Sequence, residues 1–102
     1  RDINLILENI VYLELLRRGY DVAIGKVGNA EIDFIAAKAD EKIYVQVTES
    51  MESETVRARE LPPLQGIADN YEKIVLSLHP GLETSYDGIK SIDLIEWLLE
   101  NQ

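Results

Sequence analysis

The sequence predicts a single α/β domain, close to the border with α+β, in which helices flank a mixed β-sheet. Three consecutive segments between Tyr20 and Thr48 are rich in apolar and β-branched residues and are separated by short polar turns, a pattern typical of an antiparallel meander. Helical patterns precede and follow these segments. The length of 102 residues, 46% of them hydrophobic, suits one domain over residues 1–102.

Composition excludes several classes of protein. The net charge is −9, from 19 acidic and 10 basic residues, which argues against a broad electropositive surface for nucleic acid. A small local groove remains compatible with this charge, and its candidate bases are Arg17, Arg18, Lys26, Arg57 and Arg59. Without cysteine there is no disulfide framework or thiolate metal site. No segment resembles a signal peptide or membrane span, so we expect a cytoplasmic location.

The first helix is predicted over Asp2–Gly19. Asp2 is a suitable N-cap and Gly19 a suitable stop, and two arginines in the last turn complement the helix dipole. The helix is apolar almost all round, which indicates burial on more than one side. Because one small domain covers only one side, we expect a further domain or a twin subunit to cover the rest.

Three strands follow the helix and form the meander. We predict them at Tyr20–Val27, Ala30–Ala39 and Ile43–Thr48. Gly28 and Asn29 supply a tight hairpin turn between the first two, and Asp40–Lys42 the next turn. Alternation in the third strand directs Tyr44, Gln46 and Thr48 to one face of the sheet.

The second half of the chain adds a crossover and a final helix. We predict a helix from Ser53 that Pro62 and Pro63 interrupt, since proline removes a helical N–H and restricts the preceding residue. The later segments are a further helical turn at Leu64–Ala68, a strand at Glu72–Leu78, a polar loop at Glu83–Gly88, a short strand at Ile89–Ile92 and a helix over Leu94–Asn101 capped by Asp93. The Glu72–Leu78 strand should join the sheet beside an earlier strand through a right-handed crossover.

The resulting order, α-β-β-β-α-β-(β)-α, resembles the PD-(D/E)XK or restriction-endonuclease-like superfamily. The segments ENIVYLELLRRGYDV, EIDFIAAK and KIYVQVTES are similar to the C-terminal domain of uncharacterised prokaryotic AAA-type ATP-binding proteins, which is related to the Holliday-junction-resolvase branch. This resemblance implies a nuclease-like domain excised from the C-terminal end of a longer ATPase. The expected partners are the parent ATPase domain and further copies of the chain.

The same resemblance assigns four positions to a metal-dependent active site. It places acids at Glu8 and Asp33, a second motif acid at the position of Gln46, and a lysine at the position of Thr48. Mg²⁺ prefers oxygen ligands, and in such a site it activates water while the lysine stabilises negative charge. Here the second acid and the lysine are replaced, so Glu8 and Asp33 are left as ligands for weak Mg²⁺ binding.

We therefore expect an accessory or assembly domain with a degraded nuclease site. The alternatives are an active Mg²⁺-dependent DNA nuclease, with Arg57 or Arg59 as a relocated cation, and a structure-selective DNA-binding module without cleavage.

Simpler interpretations of individual residues also remain open. Asp33 and Glu31 would lie on the solvent side of a hairpin, and Glu8 would pair with Lys26 or an arginine. Gln46 and Thr48 would be half-buried strand residues. A solvated helix face would account for Arg57, Arg59 and Glu60, and His79 would be an exposed loop residue.

Overall fold

The computed structural model describes residues 2–100, which form three helices and six strands. The helices are α1 Ile3–Arg17, α2 Glu54–Gln65 and α3 Leu94–Leu99. The strands are β1 Asp21–Val27, β2 Ala30–Lys38, β3 Glu41–Ser50, β4 Glu72–His79, β5 Ser85–Tyr86 and β6 Ile89–Asp93. The predicted order is confirmed, except that β5 replaces part of the polar loop predicted at Glu83–Gly88. Position 101 of the predicted last helix lies outside the described residues.

The six strands form one mixed sheet in the order β1-β2-β3-β4-β6-β5. The strands β1, β2 and β3 are an antiparallel meander, as predicted. After α2 the chain returns to the sheet with β4 parallel to β3, and β6 is parallel to β4. The short β5 pairs with β6 and forms the edge opposite β1. Helices flank this sheet, and no helix within residues 2–100 is long and apolar enough to cross a membrane.

Each face of the sheet carries its own apolar core. On one face, α1 and α3 pack on β3 and β4 through residues that include Val11, Leu15, Val45, Leu76 and Trp97. On the other face, α2 packs through Leu61 and Leu64 against a cluster that includes Ile32, Tyr44 and Val75. The predicted alternation of β3 is confirmed, because Val45 and Val47 belong to the first core and Tyr44 to the second.

The first helix is buried along a single stripe. Asp2 caps it by accepting a hydrogen bond from the Asn4 backbone N–H, and Gly19 ends it with a φ of +94°. Leu7, Val11 and Leu15 are buried at i, i+4 and i+8. The other large apolar side chains of α1 remain exposed: Ile3, Leu5, Ile6, Ile10, Leu13 and Leu16. The domain therefore covers only one side of this apolar helix.

The predicted interruption of α2 at its two prolines is wrong, because the helix continues to Gln65. A proline ring fixes φ near the helical value, so the cost is the missing N–H and the crowding of the preceding turn. The carbonyls that lose partners belong to Ala58 and Arg59, both on exposed residues that water can reach. Gly66 then closes the last turn by donating its N–H to the Pro62 carbonyl at 3.1 Å.

Candidate functional site

The candidate site lies where β2 and β3 separate. Their backbone pairing runs from Lys38 and Glu41 to Phe34 and Val45, and stops there although both strands continue. Beyond this point β2 pairs only with β1, and β3 pairs only with β4. The sheet therefore contains a fork whose open end begins at Asp33 and Gln46.

A β-bulge at the fork changes the direction of the side chains in β2. Ala23 pairs with Ile35 and Gly25 pairs with Ile32, so Asp33 and Phe34 lie together opposite the single residue Ile24. Such an extra residue bends a strand and redirects a side chain. As a result Ile32 belongs to the core under α2, whereas Phe34 belongs to the core under α1.

Two side chains replace the missing backbone pairing at the fork. The Asp33 N–H donates to Gln46 Oε1 at 2.9 Å, and the Val47 N–H donates to Asp33 Oδ2 at 2.9 Å. At its other end, Gln46 Nε2 donates to the Glu60 carbonyl of α2 at 3.3 Å. Gln46 is only 5% exposed, and its amide connects β2, β3 and α2.

The fork opens into a cleft of about 1070 Å³ between α1, α2, β1 and β2. Three of the four predicted site residues, Glu8, Asp33 and Gln46, line this cleft. Glu60 and Arg59 of α2 line it as well, with Arg59 Nε 3.2 Å from Glu60 Oε2.

Thr48 does not belong to the group that lines the cleft. It has the same orientation as Gln46 but lies further along β3, where it pairs with Ser77 of β4 and is 2% exposed. The structure therefore places Asp33 and Gln46 together at the cleft and Thr48 apart from them. The alternation was predicted correctly, but the fork lies only at the level of Gln46.

Three of the carboxyl groups that line the cleft have raised pKa values. Burial is the largest cause for Asp33, Glu8 and Glu60. The negative charge of Asp33 further raises the pKa of Glu8 and of Glu60. The hydrogen bond from Val47 opposes the shift of Asp33, and Arg59 opposes that of Glu60. Each carboxyl therefore holds a proton more tightly than it would in water.

The donor groups at the cleft are few and partly occupied by hydrogen bonds. Within residues 2–100, no three His, Cys, Asp or Glu side chains stand close enough to share an ion. Both candidate oxygens at the fork already accept backbone hydrogen bonds, Gln46 Oε1 from Asp33 and Asp33 Oδ2 from Val47. An amide oxygen is also a neutral donor, in contrast to the carboxylates that Mg²⁺ commonly uses.

The basic residues do not gather into one groove. Arg17 and Arg18 both bind Glu14, and Arg57 donates to the Met51 carbonyl at 2.8 Å. Lys26 and Arg59 lie at the cleft, but within the described residues Glu8 forms no salt bridge with either. The predicted pairing of Glu8 with Lys26 is therefore not formed.

Glu60 is the functional candidate that sequence reasoning missed. We predicted a solvated helix face that included Glu60, yet its exposed fraction is 9%. The signal was present in the spacing, because Val56, Glu60 and Leu64 recur every four residues and so share one helix face. Treating the two prolines as a helix break hid this stripe.

Comparison with known proteins gives one informative match. No protein-family model matches the chain. An uncharacterized protein of Haemophilus influenzae is 49% identical over 94 residues, or 92% of this chain. The chain spans 23% of the length of that relative. The similar segment is therefore part of a much longer polypeptide in H. influenzae.

Proposed function

We propose that this chain is an accessory or assembly domain of a longer ATP-binding protein, with a restriction-endonuclease-like fold and a nuclease site that has lost its catalytic groups. Under this proposal the domain does not cut DNA. It keeps the cleft of a nuclease without its chemistry. It would be the C-terminal domain of the longer chain and would act through its attachment to the AAA-type ATPase portion.

The observation that carries this proposal is the double hydrogen bond of Gln46. Its oxygen accepts from the Asp33 N–H and its NH₂ group donates to the Glu60 carbonyl, an acceptor and a donor that an ionised carboxylate does not combine. A carboxylate at position 46 would turn an oxygen towards the Glu60 carbonyl and add a fifth acid to the cleft. The residue at this position is thus suited to connecting β2, β3 and α2, and poorly suited to binding a metal.

The position of Thr48 and the contacts of Arg59 also agree with a loss of catalytic groups. Thr48 is buried beside β4 and brings no cation to the cleft, and the nearby Arg59 is engaged by Glu60. In hydrolytic sites, removal of one preorganised charge commonly reduces the rate by a factor of about 100 or more. Replacement of both an acid and a lysine would therefore leave little activity.

The fold and the comparison support the remainder of the proposal. An α-β-β-β-α-β core with an acid at the point where two strands diverge resembles the superfamily named above. The coverage of 23% of the H. influenzae relative agrees with a domain carried by a larger protein.

A DNA-cleavage assay tests the proposal directly. The longer chain is incubated with Mg²⁺ or Mn²⁺ and with branched, single-stranded and duplex DNA. We expect every DNA form to remain intact. Cleavage that disappears in Asp33→Ala would instead establish a working nuclease and overturn the proposal.

A second experiment tests the accessory role. The longer chain is compared with a version lacking this domain, by ATP hydrolysis and by light scattering. We expect the deletion to change the assembly state or the hydrolysis rate, whereas Asp33→Asn should leave both unchanged. If the deletion alters neither quantity, the accessory role is excluded.

A further inference from the structure

The helix α1 carries exposed large hydrophobic side chains, four of which form a stripe. Ile3, Ile6, Ile10 and Leu13 follow one another at spacings of three, four and three residues. This is the spacing of the a and d positions that face a neighbouring helix in helix pairs. Ile6 is 47% exposed and Leu13 is 57% exposed, although side chains of this type usually lie in cores.

The stripe is separate from the surface that α1 uses within the domain. The sheet contacts Leu7, Val11 and Leu15, which lie on a different side of the helix. Beyond the end of the stripe, Glu14 is paired with Arg17 and Arg18. The four stripe positions thus form an uncharged second face about 15 Å long, from Ile3 to Leu13.

The size and charge of the domain argue against a second copy as the occupant. The four Ile and Leu residues are 37–57% exposed, so together they offer less surface than two fully exposed residues. A stable interface between separate proteins needs about 800 Å² on each partner. Each copy also carries a net charge of −9, so two copies repel one another.

A tethered partner does not need so large a surface. A segment on the same polypeptide has an effective concentration of about a millimolar, so a small patch is enough to hold it. The H. influenzae relative is long enough to carry such a segment, because the chain spans only 23% of its length.

We infer that the Ile3–Ile6–Ile10–Leu13 stripe is the docking seam for an amphipathic helix from the remainder of its own longer chain. This inference rests on the proposed function, in which the domain belongs to a larger ATPase. It adds the surface used, the type of partner element and the intramolecular origin of that element.

Thiol accessibility in the longer chain tests the inference. Residues 1–102 contain no cysteine, so a single thiol is introduced by Ile6→Cys or Leu13→Cys after cysteines elsewhere in the chain are removed. Leu82→Cys is the control, because Leu82 is 100% exposed and lies far along the chain from α1. We expect thiols at positions 6 and 13 to react with a maleimide about tenfold or more slowly than the thiol at position 82.

Two outcomes would overturn the inference. Equal reactivity at positions 6, 13 and 82 would show that nothing covers the stripe. Protection that is lost on about a hundredfold dilution would assign the stripe to a second copy, since only association between molecules depends on concentration. The DNA-cleavage assay reports on the cleft and the thiol rates report on α1, so failure of one is distinguishable from failure of the other.

Discussion

Two glutamates on the same helix have opposite environments. Glu14 accepts hydrogen bonds from Arg17 and Arg18, and these contacts lower its pKa to about 2. Glu8, less than two turns earlier, faces the cleft, where burial and the charges of Asp33 and Glu60 raise its pKa. The first environment favours the carboxylate, and the second disfavours it.

The region around Glu14 has paired charges that stabilise the fold, whereas the cleft around Glu8 has charges that do not. Around Glu14, each charge has a partner, and Arg18 also lies 4.1 Å over the Trp97 ring and joins α1 to α3. At the cleft, acids repel one another and Gln46 supplies the only neutral group among the predicted site residues that line it. Acids held at a cost to stability are typical of sites that serve or once served chemistry.

The largest effect should come from Gln46→Ala. It removes the acceptor of the Asp33 N–H and one donor to the Glu60 carbonyl at a buried position, and so breaks the link between β2, β3 and α2. We expect a loss of about 2–3 kcal/mol in the free energy of unfolding, measured by urea denaturation. The control is Gln46→Glu, which keeps the acceptor. Its loss should shrink at acid pH, where the protonated acid again donates to Glu60. If Gln46→Ala is neutral, the amide does not hold the fork.

Arg18→Ala is expected to have the second largest effect on stability, and it tests the paired charges around Glu14. The variant loses the 2.7 Å bond to Glu14, the hydrogen bond to the Trp97 carbonyl and the contact with the Trp97 ring. We expect a loss of about 2 kcal/mol in the free energy of unfolding. The matched variant Arg17→Ala removes a side chain that is 54% exposed, and should cost much less than Arg18→Ala. Equal losses in both variants would show that the link between α1 and α3 adds nothing.

The fold was largely predictable because its signals are local. Capping by Asp2 and Asp93, the Gly28 turn and the alternation of Val45 and Val47 each depend on a few neighbouring residues. The helix through Pro62 was not predictable by the same rules, since the cost of a proline depends on whether the residues that lose a hydrogen-bond donor, here Ala58 and Arg59, are exposed. The two-residue strand β5 is too short to carry a periodic signal of its own.

The site was predictable in part. Glu8, Asp33 and Gln46 were assigned to one place through a resemblance, and all three line the cleft. The exclusion of Thr48 and the inclusion of Glu60 depend on where β2 and β3 separate. That point is set by the bulge opposite Ile24, a pairing between distant residues that no local pattern encodes.

Glu14→Gln should have a smaller effect that depends on pH. Because the folded pKa of Glu14 is lowered to about 2 from an ordinary value near 4.5, its contribution is complete above pH 4.5 and is lost as the pH falls towards 2. We expect Glu14→Gln to lower the free energy of unfolding by about 1 kcal/mol at pH 7 and to match the parent chain near pH 2. Urea denaturation at several pH values measures this. A loss that is the same at pH 2 and pH 7 would show that the carboxylate charge is not its cause.

The smallest effect is expected from Glu60→Gln, and it should have the opposite sign. The folded pKa of Glu60 is raised, so the folded chain binds this proton more tightly than the unfolded chain does, and stability falls as the pH rises from about 4.5 through the folded pKa. Removing the charge should therefore raise the free energy of unfolding by about 0.5 kcal/mol at pH 7 and change little at pH 3. The control Glu83→Gln alters an exposed loop carboxylate and should have no effect at either pH. A loss of stability at pH 7 in Glu60→Gln would mean that Arg59 compensates the buried charge, and the cleft would then resemble the Glu14 region.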